Sequence, residues 1–464
     1  MNTTFVHILL SFVIVFASIR GAFVYHLGFP AYTTYTISAL MLLGLGVFSL
    51  LGLVTSKLDV ALVLFKNAVI LNVIFFVFFV FSSLLIAVGS GVSASSLLSM
   101  LYFFLIFPTV FVFLRFDDEL LTKIVYIITF ITVVGVYYFF NLGISAGDWA
   151  ARMDAIREAH SILRPGEFQY SRLGQNILPF GYSGSHTDTA NILVMCGIFF
   201  LTKFFICTHG IKSLLYVTCY FVILSATFLT GSAANVLVLL FMSIVSLFYY
   251  IQRSPTTMLV SLFLFVTLFF LTASVIVSMD LTELFKLAYV FGKFNPETMN
   301  EALWASLDAQ SIKESMISIF FGFGETLNSP LILAEVAFVS LLSRFGLLSF
   351  ITLMVIGFAP IYYFFVFRLN RNRRIEFLKR NSTKNLTAHF IQDSRAQKFR
   401  LFYIAMPALA GFLTLIHYGS VFRITSIGLF CILLSIFLKE YLKAHKSLES
   451  YPLEKPSNLM SMQN

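Results

Sequence analysis

Apolar residues come in long blocks along this chain, near 5–24, 32–54, 68–88, 97–114, 124–142, 187–206, 214–230, 234–251, 257–277, 331–367, 402–417 and 421–438. Polar and charged residues are swept into the gaps between them. A block of about 20 apolar residues matches a helix that crosses the hydrocarbon core of a bilayer. Inside that core the backbone satisfies its hydrogen bonds only as a helix or a closed barrel. The pattern therefore predicts an all-α fold, a polytopic integral membrane protein with about 12 transmembrane helices. Spans 1–5 fall within 1–142, spans 6–9 within 187–277 and spans 10–12 within 331–440, followed by a tail over 441–464. Two gaps, 143–186 and 278–330, are long enough to be loops with a role of their own.

One block is too long for a single span. The stretch 330–367 carries Glu335 and Arg344, with no turn signal between them and their apolar neighbours. The part holding Glu335 is expected as a short helix dipping into the membrane ahead of the true span, with Gly346 near the junction. On a helix, nine residues at about 100° each put Glu335 and Arg344 on opposite faces, so they do not pair with each other. Ionisable groups at membrane depth are costly unless paired or facing water, which makes both functional candidates.

The loops carry pattern as well. In the first, Asp148-Trp149-Ala150-Ala151 opens a helix-like segment on which Arg157, His160 and Arg164 share one face. The same spacing also suits the solvated face of a loop helix. In the second loop, 281–294 and 297–321 are amphipathic and break at Asn295-Pro296. Both loops suit lids lying on the membrane surface.

Composition agrees with the pattern. The chain is 59% hydrophobic and only 11% charged, with a mean hydropathy of +0.90, which excludes a soluble domain. A net charge of +9 would suggest nucleic acid in a soluble chain. Here 21 of the 31 basic residues, ten of them in the 368–400 loop, fall on one side if the N-terminus is inside. The charge is then a topology signal and an anionic-lipid contact, and no nucleic-acid partner is expected. The four cysteines, Cys196, Cys207, Cys219 and Cys431, lie in or beside apolar blocks, so neither a disulfide framework nor a metal site is expected. The N-terminus lacks the positive region of a cleavable signal, and its first apolar block is expected as a retained span.

Candidate chemistry gathers toward the outer side. The run YSRLGQNILPFGYSGSHTDTANIL places Arg172, His186 and Asp188 at the outer mouth of the sixth span, and LTLIHYGSVFRITS places His417 and Arg423 at the outer ends of the last two. Arginine suits bidentate phosphate binding. A carboxylate in apolar surroundings can act as a general base near neutral pH. Structural roles stand beside these: His417 capping a helix end, and Arg423 snorkelling to the interface. Asp117-Asp118-Glu119 is a weak metal-like cluster, expected as a solvated loop at the inner end of a span.

Within 320–350 the chain reads Gly322-Phe323-Gly324, then Glu335, Phe338, Leu341-Leu342, Arg344 and Gly346-Leu347-Leu348. This resembles the O-antigen polymerase (Wzy) family, of the wider polymerase and ligase superfamily. That family shows a Gly-x-Gly turn, an Asp followed by Asn or Ser, an aliphatic and aromatic run, and a Gly-Leu-Leu/Ile-Gly ending. Glu335 stands where the family has Asp, and Ser349 replaces the last Gly. Related ligases carry His-Asn where Ala334-Glu335 stands here. Arg172-x-Gly174 resembles the family's arginine loop and Leu229-Thr230-Gly231-Ser232 its LTGS turn, with Ala233 in place of the usual Arg. His417 resembles a histidine found between the last two spans.

The resemblance implies a metal-independent membrane glycosyltransferase of the bacterial inner membrane, with cytoplasmic termini and two large periplasmic loops. It would join undecaprenyl-pyrophosphate-linked repeat units without a cofactor, in the lipid bilayer, with a chain-length regulator as a further partner. Glu335 is then the base and His417 its reserve. Arg172 and Arg344, helped by Arg157, Arg164, Arg423, His186 and Asp188, would hold pyrophosphate and sugar. An O-antigen ligase and a polysaccharide transporter or flippase are the alternatives. Transporters usually show internal repeats and midplane charges, and this chain shows neither.

Overall fold

The computed structural model describes residues 3–55, 60–75, 106–145, 149–163, 180–207, 210–251, 337–381, 384–414 and 424–450. All regular structure among them is helical: α1 (Thr3–Leu27), α2 (Ala31–Thr55), α3 (Val60–Phe75), α4 (Thr109–Phe113), α5 (Asp118–Ser145), α6 (Trp149–Leu163), α7 (His186–Ile206), α8 (Gly210–Leu229), α9 (Ala233–Ile251), α10 (Ala337–Asn381), α11 (Lys384–Leu413) and α12 (Ile427–Glu449). Six stretches of these helices are long and apolar enough to cross a membrane: Ile8–Leu27, Ala31–Leu51, Asp118–Gly143, His186–Ile206, Gly210–Leu229 and Gly346–Arg380. Two shorter apolar helices, Val60–Phe75 and Ala234–Tyr250, accompany them. The protein is a helical, multi-pass membrane protein. Of the remaining expected spans, 68–88 and 97–114 are described in part, and 257–277 lies outside the described residues. The blocks at 402–417 and 421–438 fall in α11 and α12, whose other parts are charged.

The centre of the bundle is α7. Residues 187–202 are all buried, on every side of the helix, as expected of a helix that faces protein all round. It packs against α8, α9, α11 and α5. Close approach is allowed where side chains are small: a Cβ on Gly197 would meet Leu239 of α9 at 3.0 Å and Ile223 of α8 at 3.3 Å.

The two ends of the bundle differ in chemistry. At one, Asp118 at the start of α5 meets Lys439 and Lys443 of α12 at 2.5 Å each, and Glu440 of α12 meets Arg400 of α11 at 2.9 Å. The acidic run at 117–119 is thus not simply a solvated loop: Asp118 opens a helix and holds two lysines. The other end is aromatic and hydroxylic. There α1, α5, α6 and the start of α7 meet around a 3-10 turn, Gly181–Ser183.

α10 and α11 form an antiparallel hairpin that extends well past the apolar blocks. Thr387 Oγ1 donates to Leu378 O at 3.4 Å, and Arg371 Nε donates to Ser394 Oγ at 3.0 Å, in one continuous register. The connection between the tenth and eleventh apolar blocks is itself helical, with Leu378 and Phe390 buried along it and Phe399 set against Tyr249 and Tyr250 of α9. Near its other end α10 is interrupted at Gly346, with φ 77° and ψ 166°. The expected junction between a short first helix and the true span falls at this residue.

Candidate functional site

The outer end of α7 is built from a compact turn. Gly181 (φ 57°) and Gly184 (φ 88°) adopt left-handed backbone that other residues resist, and so fold 180–185 back on itself. Ser185 caps α7, its Oγ accepting from the Asp188 N–H at 3.1 Å. Thr189 ties the turn to the helix through Ser183 Oγ and the Phe180 carbonyl. This stitching fixes His186 and Asp188 in the first helical turn. Asp188 is only 1% exposed and Asn191, one turn on, is fully buried. A carboxylate in the first turn also gains from the helix dipole.

Tyr182 locks the turn into the bundle. A Cβ on Gly21 of α1 would lie 2.3 Å from the Tyr182 carbonyl, and one on Gly135 of α5 would lie 2.6 Å from its ring. Two glycines on separate helices thus make the socket for one residue. The phenol shares a 2.5 Å hydrogen bond with His26 Nε2 at the end of α1. Burial, and then neighbouring Tyr138, push the Tyr182 phenol above its ordinary value, so it stays protonated. His26 and Phe139 meet its ring edge to face, and Tyr25 and Tyr138 pack edge to face against those two in turn.

Directly before Gly21 lies Arg20, a charge inside the first span. It is 7% exposed, with its guanidinium 4.8 Å from the centroid of the Tyr35 ring on α2. The preceding residue, Ile19, leaves helical geometry (φ −118°, ψ 19°), so α1 kinks at this point. Arg20 escaped the sequence reading, although the signal was plain: an arginine within an apolar block. His26 and Asn191 were missed too, since a histidine at a helix end and an asparagine inside an apolar block have no spacing to mark them.

The segment expected as a basic loop helix is α6, lying across α1 and α5. Ala159 and Leu163 face inward. Arg157 donates to Asp154 at 3.2 Å on the half-exposed side. On α10, Arg344 is helical and stands two residues before the Gly346 break. Glu335, His417, Arg172, Arg164 and Arg423 lie outside the described residues. Of the expected set, the structure therefore brings Arg157, His186 and Asp188 to one end of the bundle and adds Arg20 and His26 to them.

The LTGS turn closes α8 onto α9 with buried polar groups. Thr230 Oγ1 donates to Thr227 O at 2.6 Å, Asn235 Nδ2 donates to Ser232 Oγ at 2.9 Å, and Gly231 has φ 65°. Near α1, the chain enters α12 through buried Thr425 and Ser426. Among the described residues, Thr425 Oγ1 has no hydrogen-bond partner. A Cβ on Gly428 of α12 would touch Ile14 of α1 at 2.9 Å, about 10 Å further in along α1 than Gly21. Among the described residues no three His, Cys, Asp or Glu side chains come together as a metal site would need. Two guanidiniums, two imidazoles, a carboxylate and several hydroxyls at one end of an apolar bundle suit a polar ligand with an anionic part. No family model matches this chain, and neither does any curated protein.

Proposed function

We propose that the protein is a membrane-embedded polymerase of undecaprenyl-pyrophosphate-linked oligosaccharide repeat units, working at the periplasmic face of the bacterial inner membrane. The observation that carries this reading is the break in α10 at Gly346, two residues after Arg344. The break falls within the polymerase-like stretch, after Arg344 and at the Gly346-Leu347-Leu348 ending, where the long span begins. Irregular backbone at membrane depth is tolerated where it is buried in protein or lines a cavity, which is what a catalytic element beside a lipid-linked substrate requires.

In this reading the acceptor hydroxyl at the non-reducing end of a new unit attacks the anomeric carbon of the growing chain. The glycosidic C–O bond forms as the bond to pyrophosphate oxygen breaks, and undecaprenyl pyrophosphate leaves with the electron pair. The hydroxyl proton passes to the Glu335 carboxylate, with His417 as the reserve base. Arg172 and Arg344 neutralise the pyrophosphate, where a planar two-pronged donor outperforms a point charge. Arg157, Arg164, Arg423, His186 and Asp188 contact pyrophosphate or sugar, and buried Arg20 joins the cations at that end.

Glu335→Gln tests the assignment. Loss of a general base costs about 10²–10⁴ in rate, enough to erase a polysaccharide ladder while melting in detergent stays near wild type; Glu335→Asp retains part of the ladder. A fully active Gln variant removes Glu335 from the base role. A deletion strain separates the reaction classes. Single repeat units on the lipid core mean polymerase, and a bare core means ligase or flippase.

A further inference from the structure

Several cations at the charged end of the bundle have a carboxylate. Lys439 and Lys443 share Asp118, Arg400 takes Glu440, and Lys123 takes Glu119 at 2.8 Å. The α10–α11 hairpin holds a group that does not. Arg368 and Arg371 of α10 face Arg395 and Lys398 of α11, and among the described residues none of the four forms an ion pair. Arg371 is steadied by Ser394, a neutral acceptor. Burial, then Arg368, Arg371 and Arg395, hold the Lys398 ammonium below its ordinary value. Four cations gathered without a counter-charge repel one another, and an anion from outside the chain relieves the crowding.

The position in the fold says which anion. From Gly346 the helix rises about 33 Å before Arg368, close to the roughly 30 Å hydrocarbon thickness of a bilayer, so the cations stand at headgroup depth. On the membrane side, Phe365 and Tyr362 of α10 are exposed, and Leu369 is exposed beside Arg368. Tyr249 of α9 sits beside Arg368 and Arg371 and stacks on Phe402 with ring centroids 3.7 Å apart. Aromatic residues of this kind mark the interface. A free phosphate would have no use for an apolar flank, whereas a lipid's acyl chains lie along it.

We propose that Arg368, Arg371, Arg395 and Lys398, beside the Tyr249–Phe402 stack, form a binding site for the phosphate headgroup of an anionic phospholipid. Basic pockets between membrane helices bind such headgroups. The site lies at the opposite end of the bundle from the polymerase machinery and stands whether or not that reading does.

Native mass spectrometry of purified protein titrated with phosphatidylglycerol or phosphatidylcholine tests it. Wild type is expected to retain phosphatidylglycerol in preference to phosphatidylcholine. The triple variant Arg371→Gln/Arg395→Gln/Lys398→Gln weakens phosphatidylglycerol about tenfold or more. The control Arg373→Gln/Lys379→Gln/Arg380→Gln removes the same charge from exposed positions and changes affinity about twofold at most. Equal weakening in both triples, or wild-type affinity in the site triple, overturns the proposal. Displacement of the lipid by millimolar inorganic phosphate overturns it in favour of a free anion. Should the site triple fail to fold, wild-type melting decides: it rises with phosphatidylglycerol and not with phosphatidylcholine, and an equal rise with both sinks the idea.

Discussion

Gly135 has no side chain because the Tyr182 ring occupies the place where one would begin. Adding a methyl there forces the ring or α5 to move, and overpacking of this kind costs about 1–3 kcal/mol. Gly135→Ala is expected to lower the melting temperature by several degrees. Pairing it with Tyr182→Leu, which frees the ring's space, should recover part of the loss, and a double variant no better than Gly135→Ala alone would refute the socket. Gly21→Ala is the harsher change, because it meets backbone (the Tyr182 carbonyl) and not the far end of a side chain. At this scale the sequence was legible in part. Asp188 and His186 stood out as polar residues opening an apolar block, and the structure holds both at the mouth of α7. Arg20 carried an equal signal as a lone charge inside the first apolar block, but it has no second charge or motif beside it to mark a role. The Tyr182 socket had no sequence signal at all, since its three members meet only in the folded bundle.

The break at Gly346 belongs to the scale of the helix. A φ of 77° with ψ near 166° is backbone that essentially only glycine adopts, and other residues pay about 1–3 kcal/mol there. Gly346→Ala is expected to shorten or abolish the polysaccharide ladder, because it favours a continuous helix and moves the segment carrying Arg344. A control comes from Gly357, where a methyl would collide with the buried Phe412 ring at 2.0 Å. Gly357→Ala should lower melting while leaving ladder length per folded molecule unchanged. If Gly346→Ala polymerises normally, the break is structural and the reading of α10 fails. Length alone revealed this junction, since a block too long for one span must be divided somewhere. Helix α6 was legible from the spacing of its basic residues. The α10–α11 extension was harder to read, because charged positions dilute the apolar stripe of Leu378, Phe390 and Phe399.

For the molecule as a whole, the distribution of charge between the two ends bears on which way it faces. Ion pairs and basic residues crowd one end of the bundle, while the Tyr182 turn, α6 and the mouth of α7 form the other. By the positive-inside rule the hairpin tip is expected in the cytoplasm. Reporter fusions at Gly166 and Asn300 are expected to report the periplasm, and one at Asn381 the cytoplasm. A cytoplasmic signal from either of the first two overturns the orientation and, with it, the periplasmic site. The fold class was readable throughout because apolar blocks of span length are a strong signal. The convergence of the site was not, because its residues come from blocks far apart in the chain.

The three residues of the Tyr182 socket sit on α1, α5 and the turn before α7, yet none can change freely while the others stay. In descendants of this chain they should drift as one unit. A lineage that enlarges residue 135 must shrink residue 182 at nearly the same time, whereas residue 21, set against the Tyr182 carbonyl, must stay glycine unless the turn itself shifts. Recombination between relatives that swaps the first span alone should therefore yield misassembled chains, unless the turn travels with it.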